Sequence, residues 1–187
     1  MIRFVFNPRK TTQAAAFLLK LHGGRMPYMV LIKLLYLADR EALIKSGTPI
    51  TGDTLFSMKN GPILSHVLNW INSGQDPKEF SPWFEFVSEP DADKQVSLKV
   101  PFSEGDELSQ FHQNILEQVH KNFGNMDRWA LVDLLHKILP EWRDPDESSL
   151  PIAPEDILRA EKKSEEYIER LAKEAHEDQL LFGLARP

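Results

Sequence analysis

The chain has 187 residues, 42% hydrophobic and 10% aromatic, a composition that suits one globular body and excludes a disordered chain. It contains no cysteine, which excludes a disulfide scaffold, a thiolate zinc site, an iron–sulfur cluster and a cysteine nucleophile. The net charge is −6, yet residues 1–38 carry six bases and no acid, while the rest carries 16 bases against 28 acids. An acidic whole disfavours general nucleic-acid binding, which draws its affinity from phosphate neutralisation.

Prolines and glycines divide the chain, because a proline is tolerated in the first turn of a helix and breaks one further in. Asn7-Pro8 reads as a cap and a first helical residue, starting a helix that runs to His22 and ends at Gly23-Gly24. Pro27 opens a second helix, stopped at Gly47. Its apolar residues (Val30, Leu31, Leu34, Leu35, Leu37, Ala38) cover most of its circumference, which predicts a central, buried helix. Pro62 opens a third, with Ile63, Val67, Trp70 and Ile71 on one stripe. Residues 83–100 alternate apolar and polar in two arms around Pro90, Asp91 and Asp93, predicting a β-hairpin. Ser103 caps a helix over 104–123 with Leu108, Phe111, Ile115 and Val119 inward. Asp127 starts another that stops before Pro140. Residues 140–154 read as a strap over the body, and 155–182 as one long helix striped by Ile157, Ala160, Ser164, Ile168, Leu171 and Ala175. The fold class is therefore mainly α with some β (α+β): a compact multi-helix domain over 1–150, then a helical extension over 151–187, packed on it or projecting from it.

Catalytic chemistry is nearly absent. There is no phosphate-cradling glycine loop and no GxSxG turn. His176-Glu177 lacks the second histidine, one turn on, of a zinc-protease helix. His112 and His120 share a helix without a third ligand, so no metal and no cofactor is expected. The opening MIRFVFNPRK has no signal-peptide pattern and no 18-residue apolar run occurs, so the expectation is a cytoplasmic protein without a membrane span.

Two segments stand out. In Met58-Lys59-Asn60-Gly61-Pro62, a tight Gly-Pro leads into the third helix, whose free N–H groups are candidates for an acceptor. In His136-Lys137-Ile138-Leu139-Pro140-Glu141-Trp142, a histidine sits on a last helical turn and a tryptophan follows the helix stop. Together with Lys33-Leu34-Leu35-Tyr36-Leu37-Ala38 and Gly47-Thr48-Pro49-Ile50, these occur in an order and spacing that resembles the Panacea domain of SocA-like antitoxins and phage-associated GepA-type proteins. The resemblance spans about residues 12–145. It departs at Met58 and Asn60, where the family often has an aromatic pair, and at Glu141, inserted between proline and tryptophan.

The resemblance implies a largely helical domain that is not an enzyme and that binds a cognate protein toxin, with a protease as a further partner where the domain acts as an adaptor. The partner-binding candidates are Tyr28, Met29, Lys33, Tyr36, Met58, Asn60, Gly61, Pro62, His136, Glu141 and Trp142. The next readings are a phage or mobile-element accessory protein that binds a host protein, an enzyme centred on Lys33, Tyr36, Gly61 and His136, and a nucleic-acid binder using residues 3–33. The basic start would meet an acidic partner or dock the acidic C-terminal helix, which also makes a homodimer conceivable.

Overall fold

The computed structural model describes residues 2–74, 81–103 and 106–184. Helix α1 spans Pro8–Leu21, with the Asn7 side chain accepting from the Lys10 N–H at 2.9 Å and proline in the first turn. Strand β1 (Arg25–Pro27) leads directly into α2, Tyr28–Ser46. Every α2 residue from Val30 to Asp39 is buried, so the helix with apolar residues on all sides does form the centre. It ends at Gly47, whose φ of 81° is the left-handed conformation that closes a helix. A Cβ there would stand 2.7 Å from Leu171 Cδ2 of the C-terminal helix, so glycine serves both the cap and the packing.

Strands β2 (Leu55–Met58) and β3 (Gly61–Leu64) form an antiparallel hairpin around Lys59-Asn60. Gly61 follows the turn at φ 88°, a left-handed conformation that glycine adopts without strain. Residues 62–64 are therefore strand, and the third helix, α3, begins at Ser65 and runs to Ser73. Pro62 is accommodated because β3 is an edge of its sheet, where no ladder donor is needed from it. The α3 N–H groups of His66 and Val67 are occupied by the buried Asp53 carboxylate at 3.0 and 3.3 Å. The free helix start expected at Gly61-Pro62 is thus absent: its acceptor comes from within the chain.

The expected hairpin at 83–100 holds at its turn and over residues 86–88 and 97–99, where the Ser88 N–H donates to Ser97 and the Lys99 N–H to Phe86. Trp83–Phe86 is a short helix, α4, and β4 (Gln95–Ser97) pairs with β1 instead. One bridge, Val87 to Leu98, closes the loop, with Asp91 accepting from the N–H groups of Asp93 and Gln95. Trp83 is fully buried, and burying its indole outweighs local alternation.

Helix α5 spans Gln110–Phe123 and starts later than expected, capped by Ser109 and not Ser103; residues 104 and 105 lie outside the described ones. Leu108, Ile115 and Val119 are buried, but Phe111 is 40% exposed. Helix α6 spans Arg128–Ile138, capped by Asp127 as expected. Helices α1, α2 and α5 pack on one another and form the heart of the core.

The strap contributes a strand, β5 (Leu150–Ile152), which joins β2 to give a three-stranded sheet of order β3-β2-β5. The expected single C-terminal helix is two, α7 (Pro154–Ala160) and α8 (Glu165–Leu184). Lys162 adopts φ 57° at the break, and Ser164, read as a stripe residue, accepts from the Tyr167 N–H at 3.2 Å as the cap of α8. Ile152, Ile157, Leu158, Ile168, Leu171 and Ala175 all belong to the same core as α2. Among the described residues no helix is long and apolar enough to cross a membrane.

Candidate partner-binding site

Four residues of α2 recur at spacings of four, three and four: Met29, Lys33, Tyr36 and Arg40. At about 100° per residue they share one face. This face meets the β2–β3 hairpin and the segment after α6, and two polar clusters form there.

The first centres on Lys33, which is 2% exposed. Its Nζ donates to the Pro62 carbonyl at 2.7 Å, using the acceptor that the edge strand β3 leaves over. Burial lowers its pKa to about 7. Beyond it lies His136, on the last turn of α6, whose ring stacks on Trp142 at 3.8 Å and an interplanar angle of 13°. Burial and the Lys33 charge lower the His136 pKa, against the opposing pull of Asp133 and Asp144. The Trp142 indole N–H donates to the Met58 carbonyl at 3.2 Å, and the Arg143 N–H to Ser57 Oγ at 3.3 Å, so the strap is pinned to β2. A Cβ on Gly61 would stand 3.3 Å from Lys33 Nζ and 3.5 Å from His136 Nε2. Glycine keeps that notch open.

The second cluster lies one turn along α2. Tyr36 Oη donates to Glu141 Oε1 at 2.9 Å, and Arg40 Nε donates to the same oxygen at 2.7 Å. The Glu141 carboxylate is fully buried, and Arg40 also reaches Glu161 at 2.6 Å. Burial and the Glu141 charge push the Tyr36 hydroxyl well above its ordinary pKa. The inserted Glu141 therefore anchors the segment between Pro140 and Trp142 to the central helix and, through Arg40, to the end of α7. Its carboxylate is already saturated within the chain.

Lys33, Met58, Gly61, Pro62, His136 and Trp142 thus come together, with Tyr36 and Glu141 adjoining them. Asn60 is exposed at the hairpin turn, and Met29 lies half-buried one turn before Lys33. Tyr28 is not part of the group: at the first residue of α2 its N–H donates to the Lys94 carbonyl, and its side chain lies beside Ile71 and Glu89. Sequence reasoning missed Arg40 and Ser57. The spacing of Arg40 from Lys33 and Tyr36 is a usable signal; Ser57 has none, since a strand serine is ordinary.

Among the described residues no three histidine, aspartate or glutamate side chains are placed to hold a metal ion. His120 instead meets His22, Nε2 to Nδ1, at 3.1 Å. The described partners of the basic N-terminal side chains are Asp91, Asp93, Asp106 and Glu107, and not acids of α8.

A family model described as the antitoxin SocA-like Panacea domain matches residues 31–143, well over half of the chain. The chain belongs to this family. The match takes in the whole Lys33 cluster and Tyr36, Arg40 and Glu141, though not Glu161, and it begins after Tyr28 and Met29. Comparison with curated proteins and with solved structures returns no match.

Proposed function

We propose that this Panacea-domain protein is the antitoxin of a toxin–antitoxin pair, acting in the cytoplasm by binding its cognate protein toxin directly, with no chemistry of its own. Membership of the SocA-like antitoxin family over residues 31–143 carries this reading. The arrangement of the site supports it. The residues shared by three separate elements converge on a surface where Met58, His136 and Trp142 are half-buried and Asn60 is exposed. A buried anchor with aromatic and thioether side chains around it is the anatomy of a protein-binding hot spot.

The test is co-expression with the neighbouring open reading frame. Expression of that frame alone stops growth, expression with this protein restores it, and the two proteins co-purify. Trp142→Ala, which removes the indole that rims the site, weakens the complex by about 2 kcal/mol or more, roughly thirtyfold. A harmless neighbour overturns the reading. Restored growth that depends on a host protease, with the toxin disappearing from the cell, identifies delivery to proteolysis in place of masking.

A further inference from the structure

Among the described residues, the Lys33 cluster holds one buried amine without a counter-charge and one buried ring nitrogen without a hydrogen bond. A buried ammonium is held in proteins by a counter-charge or gives up its proton. Among the described residues no carboxylate pairs with Lys33, and burial is the one cause acting on its proton affinity. Its hydrogen bond to Pro62 uses one of three donors. Among the described residues His136 Nε2 is buried and has no hydrogen-bond partner. Unfilled buried groups are uncommon in native structures, and each marks a place where an interaction is absent.

Both groups border the same place. A Cβ built on Gly61 would stand 3.3 Å from one nitrogen and 3.5 Å from the other, so both flank the space that glycine leaves. Two nitrogens converging on one spot, one of them an amine, suit a single charged group with two acceptor oxygens. A carboxylate brings two acceptor oxygens on one planar group, which matches one bond from each of the two nitrogens. The rim decides how the group arrives: Met58 and Trp142 are apolar and half-buried, so it comes on a side chain that also contacts them.

We propose that Lys33 and His136 bind one carboxylate of a protein partner, an aspartate or glutamate side chain that enters beside Gly61 as the stacked rings of His136 and Trp142 shift. This rests on the antitoxin reading for the identity of the partner, and on the chain alone for the chemistry of the site. Binding requires the Lys33 proton. The ionisable groups facing it are His136 from α6, with Asp133 and Asp144 acting on that ring, and Tyr36 further along α2, already engaged by Glu141.

The test uses the full chain labelled with carbon-13 in its lysine side chains, the Lys33 signal being assigned by Lys33→Met. If that variant does not fold, Lys33→Arg provides the assignment. Sodium acetate is the probe, with sodium chloride and sodium phosphate at matched ionic strength as controls. The expected result is a saturable shift of the Lys33 signal with acetate and none with chloride. Acetate affinity falls at least about tenfold from pH 6.5 to 8.5, because a group titrating near 7 loses most of its protons over that span. His136→Phe, which keeps a ring against Trp142, abolishes the shift. The absence of a saturable shift, an equal response to chloride, or tighter binding of phosphate overturns the proposal. The acetate measurement needs no toxin, so a harmless neighbouring gene defeats the antitoxin reading and leaves the carboxylate site standing, and the reverse holds equally.

Discussion

Two ionisable side chains in this core oppose each other in their response to pH. Lys33, lowered to about 7 by burial, is protonated more readily in the unfolded chain, where an ordinary lysine titrates near 10.5. Between these values unfolding takes up a proton, so stability rises with pH by up to about 1.4 kcal/mol per unit. Asp39 is raised to about 7 by burial, although the Thr51 N–H and hydroxyl both donate to it. Its ordinary value is 3.8, so between there and 7 the folded chain holds the extra proton and stability falls as pH rises. Together these two groups disfavour the folded state most near neutrality. Denaturant midpoints measured from pH 7 to 9 are expected to climb in the wild type and to stay level in Lys33→Met. Equal slopes in the two proteins would refute the assignment. The position of Lys33 within a sequence motif was legible, but its burial was not, because lysines are rarely inside and nothing local distinguishes this one.

Among the elements, the β2–β3 hairpin and α3 show most directly how partners decide local structure. Gly61-Pro62 satisfies the turn rules for a helix start, and the helix begins three residues later because β2 lies alongside and takes residues 61–64 into a sheet. The end of α3 that the hairpin sets in place is capped from a distance. Asp53 accepts from the N–H groups of Thr54, His66 and Val67 and from the His66 ring, whose face stacks on Phe6 at 4.1 Å. Asp53→Ala is expected to cost about 2 kcal/mol, the upper end for a helix cap, with faster hydrogen exchange at the His66 and Val67 amides. An unchanged exchange rate there would show that α3 does not depend on this carboxylate. The caps next to their own helices, Asn7, Ser109 and Asp127, obey short-range spacing; of these, Asn7 and Asp127 were legible and Ser109 was displaced from Ser103. Asp53 lies 12 residues before its helix, beyond any capping rule.

At the level of the whole molecule, the family-matched span 31–143 holds most of the core but not all of it. Residues before it supply α1, buried from Thr11 to Leu19, and residues after it supply Ile152, Ile157 and Leu158. The Arg40 link from Glu141 to Glu161 ties the two regions electrostatically as well. A chain ending at Lys163, which lacks α8, is expected to fold with reduced stability, since among the described residues α8 fully buries Ile168, Leu171 and Ala175 against the rest. A chain ending at Ala153 loses Ile157 and Leu158 as well, each worth roughly 2–5 kcal/mol when deleted from a core, and is expected not to fold. Circular dichroism melts of the two truncations decide this; a cooperative transition in the shorter one would refute it.

Periodicity, capping residues and breakers in the sequence alone determined that α1 and α2 exist and where they end, that α6 starts at Asp127, that α2 is central, and that the chain is mainly helical. These are properties of hydrogen bonds and apolar faces within a few residues of one another. The motif order carried the family for the same reason that it carried the site: Lys33, Gly61, His136 and Trp142 are specific residue types at recognisable places. What only the tertiary structure decided depends on distant partners. It turned residues 62–64 into strand, paired β4 with β1, split the last helix at Lys162, and engaged Glu141 while, among the described residues, leaving Lys33 without a counter-charge and His136 Nε2 without a hydrogen bond. Sheet pairing, burial and the desolvation of a charge are set by whatever packs alongside, and no spacing along the chain encodes that.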